Sequence, residues 1–254
     1  MSAPLAANEA PAAPLSGELR YGLELARLLA DRDFHRPARS RNARAVLLIP
    51  GFMAGDGSLS VMAGWLRRRG SRVAGAGMLL NTDCAERAVE RLEGRLRRLS
   101  SRAGERVVVI GQSRGGELGR VLALRNPDAV STLVMLGSPV LGPLNVGPAV
   151  WSALRSVARL GDAGVPGMLS RECAVGECCA SFRTDLRGRM PQSVRTVSVY
   201  SKSDPIVSYR SCLDPDAEQV EVSSSHTGMS VNVGVYRVIA RVLAEEEAAE
   251  RWAA

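Results

Sequence analysis

Aromatic residues are scarce: 3 Phe, 3 Trp and 4 Tyr make up 4% of 254 residues. That scarcity removes the stacking platforms used by single-strand nucleic-acid binders and argues against an aromatic-rich β-sandwich. Lysine is nearly absent as well, since Lys202 is the one lysine among 33 basic residues, yet the formal charge is +7. The arginines carrying this charge alternate with glutamate and leucine, as in Glu90-Arg91-Leu92-Glu93, and the densest group is Arg67, Arg68, Arg69 and Arg72. Such spacing describes solvated helix faces, so no nucleic-acid partner is expected. Long apolar runs are missing too. The longest uncharged stretch, 129–154, is broken by Gly137, Pro139, Gly142, Pro143, Gly147 and Pro148, and reads as a strand followed by a loop, with no stable membrane insertion. The first 16 residues hold neither a basic region nor a continuous apolar one, so no export signal is read and a cytoplasmic location is expected.

Five cysteines and two histidines complete the short inventory. An odd cysteine count without an export signal points to mostly free thiols, with a disulfide from Cys178 or Cys179 to Cys212 left open. The Cys173, Cys178, Cys179 cluster is not expected to bind metal, because a tetrahedral site needs four ligands and histidines to complete it are so few.

What is present suffices for a sizeable core: 46% of residues are hydrophobic and 23% charged. Residues 1–16 read as a flexible Ala/Pro tail and 17–254 as a single domain. Tyr21, Leu25, Leu28 and Leu29 share one helical face. Short apolar runs at Ala45–Ile49, Val107–Ile110 and Leu133–Leu136 read as strands, with a weaker one over Val73–Leu80, and Val194–Tyr200 and Gln219–Val222 supply two more. Between them lie helical patterns: one with Leu59, Met62 and Leu66 inward, capped by Ser58 and stopped by Gly70; one from a capping box of Asp83 and Glu86 through Leu92, Leu96 and Leu99; one over Gly116–Arg125; and a last one with Val235, Val238, Ile239 and Val242 inward. Strands alternating with helices predict an α/β fold, a mostly parallel sheet of about six strands covered on both faces. Residues 141–193 break the rhythm and are expected to form a lid or cap over an apolar cleft, with Trp151, Leu154 and Val157 on one helix face.

The sharpest chemical signal is Gly111-Gln112-Ser113-Arg114-Gly115 between a strand and a helix, the setting of a nucleophile elbow. A serine hydroxyl needs a base to take its proton. Of the two histidines, His35 sits in an Arg-rich segment and reads as a surface residue, whereas His226 follows the last strand at the same edge of the sheet as Ser113. The base in turn needs a carboxylate, and Asp204 comes directly after the strand ending at Tyr200; Asp185, Asp214 and Asp216 are the rivals. Donors for an oxyanion are expected from the backbone N–H groups of Arg114 and of Phe52, in a turn that Gly51 makes sharp.

Through the segments LLIPGFMAGDGSL, VVVIGQSRGGELGR, LGSPV, VYSKSDPIV and SHTGM, residues 45–245 resemble bacterial α/β-hydrolases of the lipase/esterase group. The resemblance implies that fold, acyl-serine chemistry without a cofactor, Ser113 as nucleophile, Asp204 as acid, His226 as base, and Phe52 and Arg114 at the oxyanion positions. Two departures stand out. The His-Gly of many lipase oxyanion loops is here Pro50-Gly51, and two leading strands of the full fold are missing. The activity expected is hydrolysis of a small-molecule carboxylic ester with an apolar acyl or alcohol part. An acyltransferase or thioesterase using the same residues is the first alternative, and a retired hydrolase fold acting as a binding protein the second.

Overall fold

Each strand of the sheet runs in the same direction, because every connection carries the chain back to the starting edge before the next strand begins. The computed structural model describes residues 13–39, 44–142 and 146–253, with side chains through 248. In chain order the elements are α1 (Arg20–Ala30), α2 (Arg32–His35), β1 (Ala45–Ile49), α3 (Ser60–Arg68), β2 (Arg72–Gly75), α4 (Ala85–Ala103), β3 (Val107–Gln112), α5 (Arg114–Arg125), β4 (Val130–Leu136), α6 (Pro148–Asp162), α7 (Glu172–Val175), α8 (Ala180–Leu186), β5 (Arg195–Tyr200), β6 (Glu218–Glu221) and α9 (Val233–Ala253). One six-stranded sheet results, in the order β2-β1-β3-β4-β5-β6, with every pair parallel.

The central strands β1, β3 and β4 are buried along their whole length because both faces are covered, and their apolar side chains sort by parity, whereas the edge strands β2 and β6 are partly exposed. Val46, Leu48, Val108, Ile110, Val134 and Leu136 pack against α1, α3 and α9. Leu47, Ile49, Val107, Val109, Leu133 and Met135 pack against α4, α5 and α8. Each such side chain, fully buried, contributes about 1.5–3 kcal/mol. Three of the scarce aromatics, Phe34, Trp65 and Tyr236, meet in one cluster of the first layer. Among the described residues no helix is long and apolar enough to cross a membrane.

The helix starts differ from the expected caps. Residues 56–59 form a 3-10 turn leading into α3, so Ser58 donates its hydroxyl to the Gly55 carbonyl at 2.8 Å and caps nothing. At α4 the cap position falls on Cys84, and Asp83 instead pairs with Arg87 and Arg91 at 2.7 and 2.6 Å. A guanidinium is a stronger partner for a carboxylate than a neutral N–H, and Glu86, the other half of the expected box, pairs with Arg125. β2 stops at Gly75, short of the expected Leu80, because Gly77 takes a left-handed φ of 72° and donates its N–H to Asp56 at 2.8 Å.

The long insertion divides in two. Cys179, Phe182 and Leu186 are buried in the same layer as α4 and α5, so its second half belongs to the core. Its first half, α6, lays Leu154, Val157 and Ala158 beside Phe52 and Leu169. Residues 1–12 of the expected tail lie outside the described residues, while Leu15–Leu19 forms a 3-10 turn.

Candidate active site

Strand register sets the site. Ile49 pairs with Gly111, Gln112 with Leu136, Leu136 with Val199, and Tyr200 with Glu221, so the loops after all these strands leave from one rim of the sheet. The order reverses at β1, which has β2 on one side and β3 on the other, and the crevice at such a switch point is where an open α/β sheet binds its ligands.

Ser113 sits at the end of β3 beside that switch point, between β3 and α5, at φ 52° and ψ −125°. It and Met53 are the two non-glycine residues with positive φ among the described residues. Such backbone strain persists where surrounding structure enforces it. Here Ser113 donates its N–H to the Leu136 carbonyl, and Gly116 donates to the Ser113 carbonyl, both at 2.8 Å. The flanking glycines answer to close approach: a Cβ on Gly111 would stand 2.3 Å from the Gly115 carbonyl oxygen, and one on Gly115 2.2 Å from that of Ile49.

Met53 belongs to the opposing turn. Ala54 N–H closes it onto the Gly51 carbonyl at 3.2 Å, and Asn81 holds it by accepting from Met53 N–H and donating its side-chain amide to the Pro50 carbonyl at 2.8 Å. The sequence reading gave Gly51 the sharp bend. In fact Met53 takes the left-handed conformation, and Gly51 is there for space, since a Cβ on it would lie 3.3 Å from the Ser113 Cβ. The turn therefore rests against Ser113. Phe52 N–H has no partner within the turn, and Arg114 N–H, at the first position of α5, belongs to the unsatisfied donors of a helix start. The Arg114 side chain reaches back to the Asn81 carbonyl at 3.0 Å, tying α5 to the same segment.

His226 is buried, with Nδ1 2.7 Å from Asp204 Oδ2. The other Asp204 oxygen accepts from the N–H groups of Ile206 and Val207 at 2.8 and 2.9 Å. The ring lies over Gly137, where a Cβ would stand 3.2 Å from Nδ1, directly after the Leu136 that holds Ser113. Gln112 donates its side-chain amide to the His226 carbonyl at 3.1 Å. Among the described residues no hydrogen bond of 3.5 Å or less joins the Ser113 hydroxyl to the ring. The rivals of Asp204 are engaged elsewhere: Asp214 and Asp216 with Arg120, and Asp185 with Arg125. His35 is exposed and contacts the Leu29 carbonyl.

Two acids that the sequence reading passed over hold the histidine loop. Glu18 accepts from the N–H groups of His226 and Thr227 at 2.7 and 3.1 Å. Glu24, 3% exposed, accepts from Ser225 N–H at 2.8 Å and from the hydroxyls of Ser224 and Ser225. Glu24 had a visible signal, an acid within the apolar stripe of Tyr21, Leu25 and Leu28.

Burial favours neutral His226, but the charges of Asp204, to which it is also hydrogen-bonded, and of Glu18 outweigh it, so its pKa lies above the ordinary 6.5. On α5, burial pushes Glu117 up to about 8 against the pull of Arg114. If His226 is the base, kcat/KM rises with pH and levels off only above 6.5. Glu18→Gln removes one raising charge, so the inflection should move to lower pH. A pH profile of the variant superimposable on that of the parent would leave Glu18 without this influence.

Residues 97–178 match the model of a family described as the alpha/beta hydrolase fold. No curated protein matches the sequence. Among solved structures, the mature form of a lipase from Bacillus licheniformis shares 13% identity at a TM-score of 0.59, over 82% of this chain and 94% of that one. A metagenomic carboxyl esterase shares 13% at 0.58, over 88% and 87%. A soluble variant of monoglyceride lipase from Saccharomyces cerevisiae shares 13% at 0.55, over 81% and 87%. At such identities the likeness is one of fold.

Proposed function

On the α/β-hydrolase fold common to these structures, we propose that the protein hydrolyses carboxylic esters with an apolar acyl or alcohol part through an acyl-serine intermediate. The observation that carries the reading is the buried Asp204–His226 pair on the same rim as the strained Ser113. Ser113 Oγ attacks the ester carbonyl carbon while His226 Nε2 takes its proton. Phe52 and Arg114 N–H groups receive the oxyanion, the bond to the alcohol oxygen breaks, and the imidazolium returns the proton to that oxygen. Water, deprotonated by the same nitrogen, then releases the acid and restores Ser113. Asp204 keeps a proton on Nδ1, so that Nε2 is free to act as base.

The apolar preference is supported by α6. Its Leu154, Val157 and Ala158 join Leu169 and Met168 against Phe52, the residue of the oxyanion turn, so an acyl chain leaving the carbonyl meets hydrocarbon. α6 is accordingly the element assigned to cover the cleft. No disulfide joins the five cysteines, which fits a reducing compartment such as the cytoplasm.

A series of chromogenic esters differing only in acyl length tests this. Each methylene taken up by the cleft is worth about 0.8 kcal/mol, or roughly fourfold in kcat/KM, so the rate should climb over the first few carbons. Flat rates from acetyl upward would refute an apolar acyl site.

A further inference from the structure

Four of the five cysteines converge. Cys84 immediately precedes α4, Cys173 lies in α7, and Cys178 and Cys179 occupy the turn between α7 and α8, yet their four sulfurs all lie within 4.8 Å of one another. Cys179 Sγ is 3.2 Å from Cys84 Sγ and 3.9 Å from Cys178 Sγ. A zinc ion holding four thiolates at about 2.3 Å sets them about 3.8 Å apart along each edge of its tetrahedron. The observed separations bracket that edge. They exceed the roughly 2.05 Å of a disulfide bond, and they leave no room for an iron–sulfur cube between the sulfurs.

We infer that these residues form a structural zinc site of the four-cysteine type. The sequence reading stopped at three sulfurs because the fourth, Cys84, sits on a distant element that the fold brings alongside. Cys212, the remaining cysteine, is buried apart from the group, with its carbonyl accepting from Ser198 at 2.6 Å, so the disulfide left open between it and Cys178 or Cys179 is not formed. Binding exchanges four thiol protons, released to solvent, for one divalent cation, leaving two net negative charges on the site. The surroundings suit that charge. The guanidinium of Arg87, paired with Asp83, and that of Arg114, which donates to the Asn81 and Asp83 carbonyls, lie on the segment that carries Cys84. The N–H of Ser170 points at Cys173 Sγ at 3.4 Å.

Four protein ligands leave no open position, which makes the site a clamp and not a reaction centre. It pins α7 and α8 to the start of α4, a few residues from Asn81, which holds the oxyanion turn and receives Arg114. Losing the metal should therefore loosen 172–186 and the turn together.

The full untagged chain, purified under reducing conditions from zinc-supplemented cells, should contain about one zinc per molecule. Exchange with cobalt should give the thiolate-to-metal charge-transfer and visible bands of a tetrahedral sulfur site. Cys173→Ser and Cys178→Ser should each lose most of the metal while Cys212→Ser keeps it; Cys178 is exposed, so replacing its sulfur disturbs packing least. Wild-type protein that takes up no zinc under reducing conditions, with all five thiols open to a thiol reagent, would overturn the proposal. So would an intact mass lower by two hydrogens per disulfide in protein that zinc does not protect.

Discussion

Ser113→Ala should cut turnover of a chromogenic ester by about 10⁴–10⁶ and abolish labelling by a fluorophosphonate, with the fold unchanged. The size follows from the proposed chemistry. Without Oγ there is no acyl intermediate, and what remains is the positioning and electrostatic help of the Phe52 and Arg114 amides toward direct attack by water. The fold should survive because what forces φ to 52° is backbone: Ser113 N–H to Leu136, Gly116 N–H to Ser113, and the glycines at 111 and 115 that let β3, β1 and α5 approach. Alanine bears the same strain as serine. Ser113→Gly relieves it, and strain of about 1–3 kcal/mol at such a position exceeds the 0.5–1 kcal/mol that glycine costs in chain entropy, so this variant should be inactive yet melt slightly above the parent. An alanine variant within tenfold of the parent rate would end the serine mechanism.

The centre of the sheet was legible in the sequence because β1 and β3 are apolar runs buried along their whole length, whereas the edge strand β6, Glu218-Gln219-Val220-Glu221 and mostly exposed, offers a single apolar residue. Val107–Ile110 and Ala45–Ile49 needed nothing beyond their own side chains. The residues named for catalysis were also local: Ser113, Asp204 and His226 each follow a strand, and parallel register delivers strand ends to one rim. What escaped depends on partners remote in the chain. Asp83 looks like a cap until Arg87 and Arg91 take its carboxylate. Glu18 and Glu24 gain their meaning from a loop some two hundred residues later. Cys84 is an isolated thiol until α7 and the turn after it arrive alongside. A second gap is one of backbone: nothing in Gly51-Phe52-Met53 announces that the methionine, and not the glycine, takes the left-handed conformation. Asn81 decides that, by accepting the Met53 N–H.

Asp204→Asn tests whether the carboxylate sets the histidine's tautomer, and the fold-imposed geometry around it makes the outcome sharp. One Asp204 oxygen accepts two backbone N–H groups, from Ile206 and Val207, and the other faces His226 Nδ1. An asparagine has one acceptor oxygen, and two N–H donors claim it. Its NH₂ is then turned toward Nδ1, which must become an acceptor, so the proton moves to Nε2. The nitrogen that should receive the Ser113 proton already carries one. With the shape preserved and the tautomer wrong, turnover should fall by about 10⁴. The loss of negative charge also removes the chief influence raising the His226 pKa, so nitrogen NMR of the ring should show both the proton on Nε2 and a titration displaced to lower pH. A variant that keeps most of its activity, with Nδ1 still protonated, would mean that the Asp204–His226 pair is architectural and the base lies elsewhere.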